Sequence, residues 1–252
     1  MRVIAVINQK GGVGKTTSVI NLASYIAKQG KRVIVVDADP QGNATSGLGL
    51  DKQALQGTLY DALFGKLEVQ NVVADTVIDD VFIVPTNADL AGAEVEMSSE
   101  IGREMLLKKV VSKLSADIVL LDCPPSLGLL TVNALTCADF LLIPVQAEYY
   151  ALEGISQLLQ IMQRVQASLN PGLKILGVLL TMYDSRTSLS SQVQKELHKH
   201  FGTLVFSTVV PRNVRLAEAP SHGKPISEYD RWSKGARAYK TLAKEVLGRV
   251  KV

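Results

Sequence analysis

Residues 10–17 read Lys10-Gly11-Gly12-Val13-Gly14-Lys15-Thr16-Thr17, directly after the apolar run Arg2–Ile7 and at the opening of a helical pattern over Thr16–Gln29. A strand, a glycine-rich loop and a helix in that order form a phosphate-binding loop. Phosphate oxygens must come close to backbone N–H groups, which side chains obstruct, so glycine accumulates there. The helix N-terminus adds unpaired N–H groups and the positive end of a dipole. Lys15 has the reach to meet β- and γ-phosphates, and the Thr16 hydroxyl is placed to ligate Mg²⁺. Gly11, Gly12, Val13, Gly14 and Thr17 complete the cradle. The common pattern G-x-x-x-x-G-K-[ST] requires glycine at position 9; this chain has Gln9, and a second lysine, Lys10, stands at the loop entrance.

Outward from the loop, short β-branched runs alternate with longer helical segments. Arg2–Ile7, Arg32–Asp37, Val81–Pro85, Asp117–Asp122, Phe140–Val145, Lys174–Thr181 and Thr208–Pro211 read as strands. Several are apolar at consecutive positions, as strands covered on both faces are. Thr16–Gln29 ends at Gly30, a C-terminal glycine suited to the left-handed conformation. Glu100–Leu114, Ala151–Leu169, Ser188–His200 and Lys234–Val250 are the other main helices, and Leu59–Phe64 is a short one. Gln41–Thr58, rich in Gly and polar residues, reads as a mobile loop. Strand–helix alternation implies an α/β fold: a mostly parallel twisted sheet with helices on both faces. No Ser/Gly-rich linker or internal repeat divides the chain, so residues 1–252 read as a single P-loop NTPase domain.

Acidic residues at strand ends point to the same site. Asp37 and Asp39 follow the second strand in Val35-Val36-Asp37-Ala38-Asp39-Pro40, and Asp122 closes the apolar run Ile118–Leu121. Parallel sheets bind ligands at the carboxyl ends of their strands. Carboxylates there hold Mg²⁺, directly or through water, or orient an attacking water.

Of the 252 residues, 47% are hydrophobic and 20% charged, which excludes a disordered chain. Two cysteines, Cys123 and Cys137, exclude a disulfide scaffold and read as reduced thiols. No apolar run is long enough to span a membrane, and the N-terminal run is too short for a signal peptide, so a cytoplasmic protein is expected. The net charge of +3 hides an asymmetry. Residues 1–185 hold 14 Lys+Arg against 19 Asp+Glu, whereas residues 186–252 hold 13 against 5. A basic final quarter suits a polyanion partner or a solubilising surface.

With KGGVGKTT (10–17), DADPQGN (37–43), LLDCPPSLG (120–128), TMYDSRT (181–187) and PRNVRLAEAPSHGKPI (211–226) in this order, the chain resembles the ParA/Soj family of chromosome- and plasmid-partitioning ATPases. These belong to the deviant-Walker, ParA/MinD-type P-loop ATPases. The resemblance covers nearly the whole chain and implies ATP and Mg²⁺ as cofactors. It implies that Lys10 reaches across an ATP-sandwiched homodimer to the partner's nucleotide, and that Gly11 lies where the subunits face each other. Lys15 matches the main phosphate-binding lysine, Thr16 the Mg²⁺ ligand, Asp39 the residue that positions the hydrolytic water, with Asp37 nearby, and Asp122 the Walker B carboxylate. Pro211 and Asn213 match positions bordering the base; Thr181-Met182-Tyr183-Asp184 lacks the Asn and Lys of guanine-specific relatives, which favours adenine. The resemblance further implies non-specific binding of double-stranded DNA by the ATP-bound dimer, stimulation by a ParB/Spo0J-type centromere-binding protein, and a place on the nucleoid. Arg186 and Arg215 match family positions for DNA contact. Lys195, Lys199, Lys224, Lys234, Arg237 and Lys240 are further candidates, each equally readable as a solvated surface residue.

A MinD-like membrane-associated cell-division ATPase is the main alternative, because Lys234–Val250 carries some amphipathicity; no stable membrane association is expected, since bulky aromatic insertion residues are missing near Val252. An iron–sulfur ATPase is disfavoured by the cysteine pattern, and a serine hydrolase by the lack of a base near Ser126. His198, His200 and His222 have no zinc-site spacing. The single Trp232, beside Arg231 and Lys234, reads either as a surface anchor or, in preference, as packing that caps the last helix.

Overall fold

The computed structural model describes residues 1–148 and 153–251. Its sheet has seven strands: β1 (Arg2–Val6), β2 (Val33–Asp37), β3 (Ala74–Asp75), β4 (Val81–Val84), β5 (Ile118–Asp122), β6 (Phe140–Gln146) and β7 (Lys174–Thr181). They lie in the order β3-β4-β2-β5-β1-β6-β7, and every pairing is parallel except β3 with β4. From β1 the chain goes to β2 on one side, while β6 and β7 lie on the other. The connections therefore diverge at the carboxyl end of β1, the place where such sheets bind ligands.

Alternation along each strand sends side chains into two cores. Val3 and Ala5 of β1, with Val119 and Leu121 of β5, join the core beneath the helices Leu129–Cys137, Glu153–Ser168 and Ser188–Phe201. Ile4, Val6, Ile118 and Leu120 face the opposite core, covered by the helices Lys15–Ala27 and Lys234–Val250. The last helix is capped by Ser233, whose side chain accepts from the Ala236 N–H at 3.1 Å. Its buried residues Ala236, Tyr239, Leu242, Ala243, Val246 and Val250 follow the 3–4 residue spacing of one face. The Tyr239 hydroxyl meets Ser18 at 3.0 Å, tying this helix to the one that opens at the phosphate loop. Arg249 donates to the carbonyls of Leu176, Leu204 and Val205 at 2.9, 3.1 and 3.1 Å, pairs with Glu245 and stacks on Phe206. It is an internal clamp despite its place in the basic quarter.

The predicted strands are present within a residue or two, with one exception. Thr208–Pro211 is not a strand; it makes a single parallel bridge, Tyr183 to Pro211. The two-residue β3 was not anticipated, because so short an edge leaves no alternating pattern. Gly30 takes φ 77°, as a left-handed C-terminal glycine does. The first two residues of the predicted helix Ala151–Leu169 lie outside the described residues. The predicted helix Glu100–Leu114 is broken at Gly102, with φ 71°, into a turn at Arg103–Met105 and a helix Leu106–Val111. The Gln41–Thr58 expectation is corrected most: Asn43–Gly47 is helical, and Ala44, Thr45 and Leu48 are fully buried.

Two glycines test this packing. A Cβ on Gly177 of β7 would lie 2.5 Å from the Phe206 ring and 2.8 Å from the Leu204 carbonyl, whereas one on Gly248 meets nothing within 4 Å. Gly177→Ala is expected to destabilise the fold by about 1–3 kcal/mol. Gly248→Ala, in a helix interior, is expected to stabilise it by about 0.5–1 kcal/mol. Urea unfolding midpoints check both.

Candidate nucleotide site

The loop between β1 and its helix is fixed from three directions. Gly12 and Gly14 adopt φ of 74° and 89°, which side-chain-bearing residues rarely take. Asn8, buried at the end of β1, donates to the Pro144 carbonyl at 2.7 Å and accepts from the Lys10 N–H at 2.9 Å. The Thr181 hydroxyl, at the end of β7, donates to the Val13 carbonyl at 2.8 Å. Neither Asn8 nor Thr181 was singled out from the sequence; the available signal was a polar residue ending an apolar strand beside the loop.

The structure gathers Lys15, Thr16, Asp37, Asp39 and Asp122 at the carboxyl ends of β1, β2 and β5. Lys15 is buried and its ammonium donates to the Lys10 carbonyl at 3.1 Å. Burial lowers its pKa, opposed by the negative charges of Asp122 and Asp39. Asp122 is fully buried, and neither carboxylate oxygen completes a hydrogen bond among the described residues, although the Thr16 hydroxyl lies close enough to favour the ionised form. Burial pushes its pKa well above the usual carboxylate range, and the charge of Asp37 adds to the push. An oxygen-donor carboxylate with unused lone pairs, beside a hydroxyl, is the chemistry that a hard divalent cation requires.

Asp37, read from the sequence as a metal-site carboxylate, also accepts hydrogen bonds from its own chain. Its Oδ2 accepts from the Thr45 N–H at 2.8 Å and hydroxyl at 2.7 Å, and the same hydroxyl accepts from the Thr86 N–H at 3.0 Å. Burial lifts its pKa to about 6 despite those donors. Through Thr45 it fixes the segment that carries Asp39, whose Oδ1 accepts from the Gln41 N–H at 3.0 Å. Cys123, fully buried, has its thiol pKa raised by burial and serves packing.

Lys10 is set apart from this group. Its side chain is exposed at the rim and paired with Glu148, which Gln146 also contacts. Among the described residues, a Cβ on neighbouring Gly11 would meet nothing within 4 Å. On the other side of the loop, a mostly apolar cavity of 350 Å³ is lined by Gly14, Thr17, Met182, Pro211, Asn213 and Tyr239, among others. The Asn213 Oδ1 is buried there without a partner among the described residues, an acceptor suited to an amino group.

A family model for an AAA domain matches residues 1–175. The sporulation initiation inhibitor protein Soj of Bacillus subtilis is 53% identical over 97% of this chain and 98% of its own length. The chromosome-partitioning ATPase Soj of Treponema pallidum is 50% identical over 98% of each. The chain belongs to the ParA/Soj family of chromosome-partitioning ATPases. A structure of cobyrinic acid a,c-diamide synthase from Mycobacterium smegmatis, with ADP and magnesium bound, matches with a TM-score of 0.87 and 40% identity, covering 100% of this chain and 96% of that one.

In this ParA/Soj-family chain the basic candidates differ in state. Arg186 is held by both oxygens of Asp184, at 2.9 and 2.7 Å, which depresses the Asp184 pKa. Arg215 contacts Glu218 at 2.9 Å and Asp230 at 3.6 Å. Lys199 lies 3.9 Å from Glu196. Lys195, Lys224, Lys234, Arg237 and Lys240 are exposed and make no ion pair among the described residues. Trp232 does not pack as expected: it is 75% exposed.

Thr181→Val keeps the volume of the side chain and removes the hydroxyl that holds the Val13 carbonyl. The loss of one such bond, about 0.5–1.5 kcal/mol, is expected to weaken nucleotide binding several-fold with the fold intact. Titration with a fluorescent ATP analogue, beside a circular dichroism melt, checks this.

Proposed function

We propose that this chain is an ATP-dependent dimerising switch that binds DNA without sequence preference and drives segregation of a chromosome or plasmid. The observation that carries the reading is the separation of the two lysines. Lys15 is buried beside Asp122 and Asp39, where one protomer's phosphates belong, whereas Lys10 is exposed at the rim, and among the described residues nothing lies within 4 Å of a Cβ placed on Gly11. A lysine in that position is available to a triphosphate held by a facing copy.

In this reading Gly12, Val13, Gly14, Lys15, Thr16 and Thr17 cradle the ATP phosphates, and Pro211 and Asn213 border the adenine. Thr16 and Asp122 hold Mg²⁺, which neutralises phosphate charge and polarises the bond to be broken. Asp39 positions the attacking water, and Asp37 supports it through Thr45. Two subunits sharing concentrated negative charge are held together by Lys10 from each side; hydrolysis and phosphate loss weaken that attraction. A ParB/Spo0J-type partner stimulates hydrolysis, and the DNA-bound form sits on the nucleoid of the cytoplasm.

The membrane alternative finds no support in the last helix. Its apolar residues Tyr239, Leu242, Ala243 and Val246 are all buried against the sheet and the first helix. Among the described residues no helix is long and apolar enough to cross a membrane.

Size-exclusion chromatography with light scattering tests the switch. Asp39→Ala with ATP and magnesium is expected to elute as a stable dimer with hydrolysis lost; a monomer under these conditions overturns the reading. Gly11→Val is expected to bind ATP yet remain monomeric, and Lys15→Ala to lose nucleotide binding. Co-sedimentation of the wild-type protein with DNA is expected only with ATP; equal retention with ATP, ADP and no nucleotide excludes a switch.

A further inference from the structure

The cations of the last quarter divide into committed and free. Arg249, Arg186 and Arg215 already face carbonyls or carboxylates of this chain. Arg231, Lys240 and Lys244 make no ion pair among the described residues, and all three line one groove of 460 Å³. The groove runs between the end of the first helix, at Tyr25 and Lys28, the residues Arg231 and Trp232 that precede the last helix, and the middle of that helix, at Lys240 and Lys244. Lys28 is paired with Glu228 at 2.7 Å, which neutralises that carboxylate. Trp232, the single tryptophan of the chain, lines the same groove with its ring exposed and the Arg231 guanidinium 5.0 Å from its centroid.

A large indole left in water beside unpaired cations suits a ligand that offers both anionic oxygens and a flat or apolar edge. We propose that this groove is a contact point for duplex DNA, with Trp232 packing on the sugar–phosphate edge while Arg231, Lys240 and Lys244 neutralise phosphates. The proposal rests on the DNA-binding reading above and adds to it an uncharged anchor. Charge complementarity selects the occupant, since the free groups of the groove are cationic. A lipid surface fits less well: the apolar residues of the adjoining helix point inward, so Trp232 alone would have to enter the bilayer. The contact is continuous with Arg215, which shares Asp230 with this corner of the molecule.

Because Trp232 is the only tryptophan, its emission reports on the groove directly. The full-length protein with ATP and magnesium is titrated with a short labelled duplex of arbitrary sequence, following duplex anisotropy and tryptophan emission together. Binding is expected to shift or quench the emission and to protect it from acrylamide. Trp232→Ala is expected to weaken binding about five- to tenfold without altering the salt dependence, since no charge is removed. Lys240→Gln is expected to lower the log–log salt slope by about one. Trp232→Phe is expected to recover most of the affinity, and basal ATP hydrolysis to stay unchanged in both Trp232 variants. If the duplex binds while emission, quenching and the Trp232→Ala affinity stay unmoved, the groove proposal is wrong and the switch reading stands. If anisotropy shows no binding at all, the DNA reading itself fails. Emission that responds to phosphatidylglycerol vesicles and not to the duplex overturns the assignment in favour of a membrane contact.

Discussion

Asp37 and Asp122 end neighbouring strands in register, and both are fully buried. Two carboxylates so placed disfavour each other's ionised form, and burial disfavours it further. The fold relieves them unequally. Asp37 receives two donors from Thr45, whereas Asp122 has Lys15 as its nearby cation and no completed hydrogen bond among the described residues. Lys15 is itself depressed by the same burial. The carboxyl end of the sheet is therefore short of positive charge at one defined point, next to Thr16. That shortage follows from covering a parallel sheet on both faces, since the layers that bury the strands also remove solvent from their last residues.

Much of this was legible in the sequence because the relevant signals are local. Strands buried on both faces announce themselves as apolar runs, and the loop announces itself by glycine and lysine at fixed spacing. Lys15, Thr16, Asp39 and Asp122 could be placed from those signals alone. The misreadings arose where a distant partner decides the outcome. Gln41–Thr58 is polar and glycine-rich, yet Thr45 is drawn inward by a buried carboxylate eight residues earlier. The same contact engages one carboxylate oxygen of Asp37, which no local sequence signal shows. Thr208–Pro211 has strand-like composition but lies beyond the β7 edge, where only one bridge forms.

The charge count misled in a similar way. A net excess of cations in the last quarter says nothing about which of them face solvent unpaired. Arg249 fastens the last helix to β7 and to the segment around Phe206, so it is as structural as any core leucine. Arg186 and Arg215 must first leave Asp184, Glu218 or Asp230 before meeting a phosphate at full charge. Trp232 was misplaced because an aromatic beside a helix start reads as packing, and composition carries no record of whether a hydrophobic surface is waiting for it.

The pairing of Lys10 with Glu148 bears on how sharply a switch of the proposed kind could respond. Both side chains are nearly half exposed, at 44% and 43%. Exposed ion pairs contribute only about 0–1 kcal/mol and weaken with salt. Such a pair can orient Lys10 along the rim without locking it there. A triphosphate presented by a facing subunit carries several formal charges in a water-poor interface, where each contact with an ammonium is stronger than the same contact in open solvent. In the proposed dimer, exchanging Glu148 for a triphosphate would replace one negative charge by several, and loss of the terminal phosphate would reduce that advantage. In that dimer the barrier to association would lie in aligning two loops, and Gly11, where a Cβ meets nothing within 4 Å among the described residues, would leave that approach unobstructed.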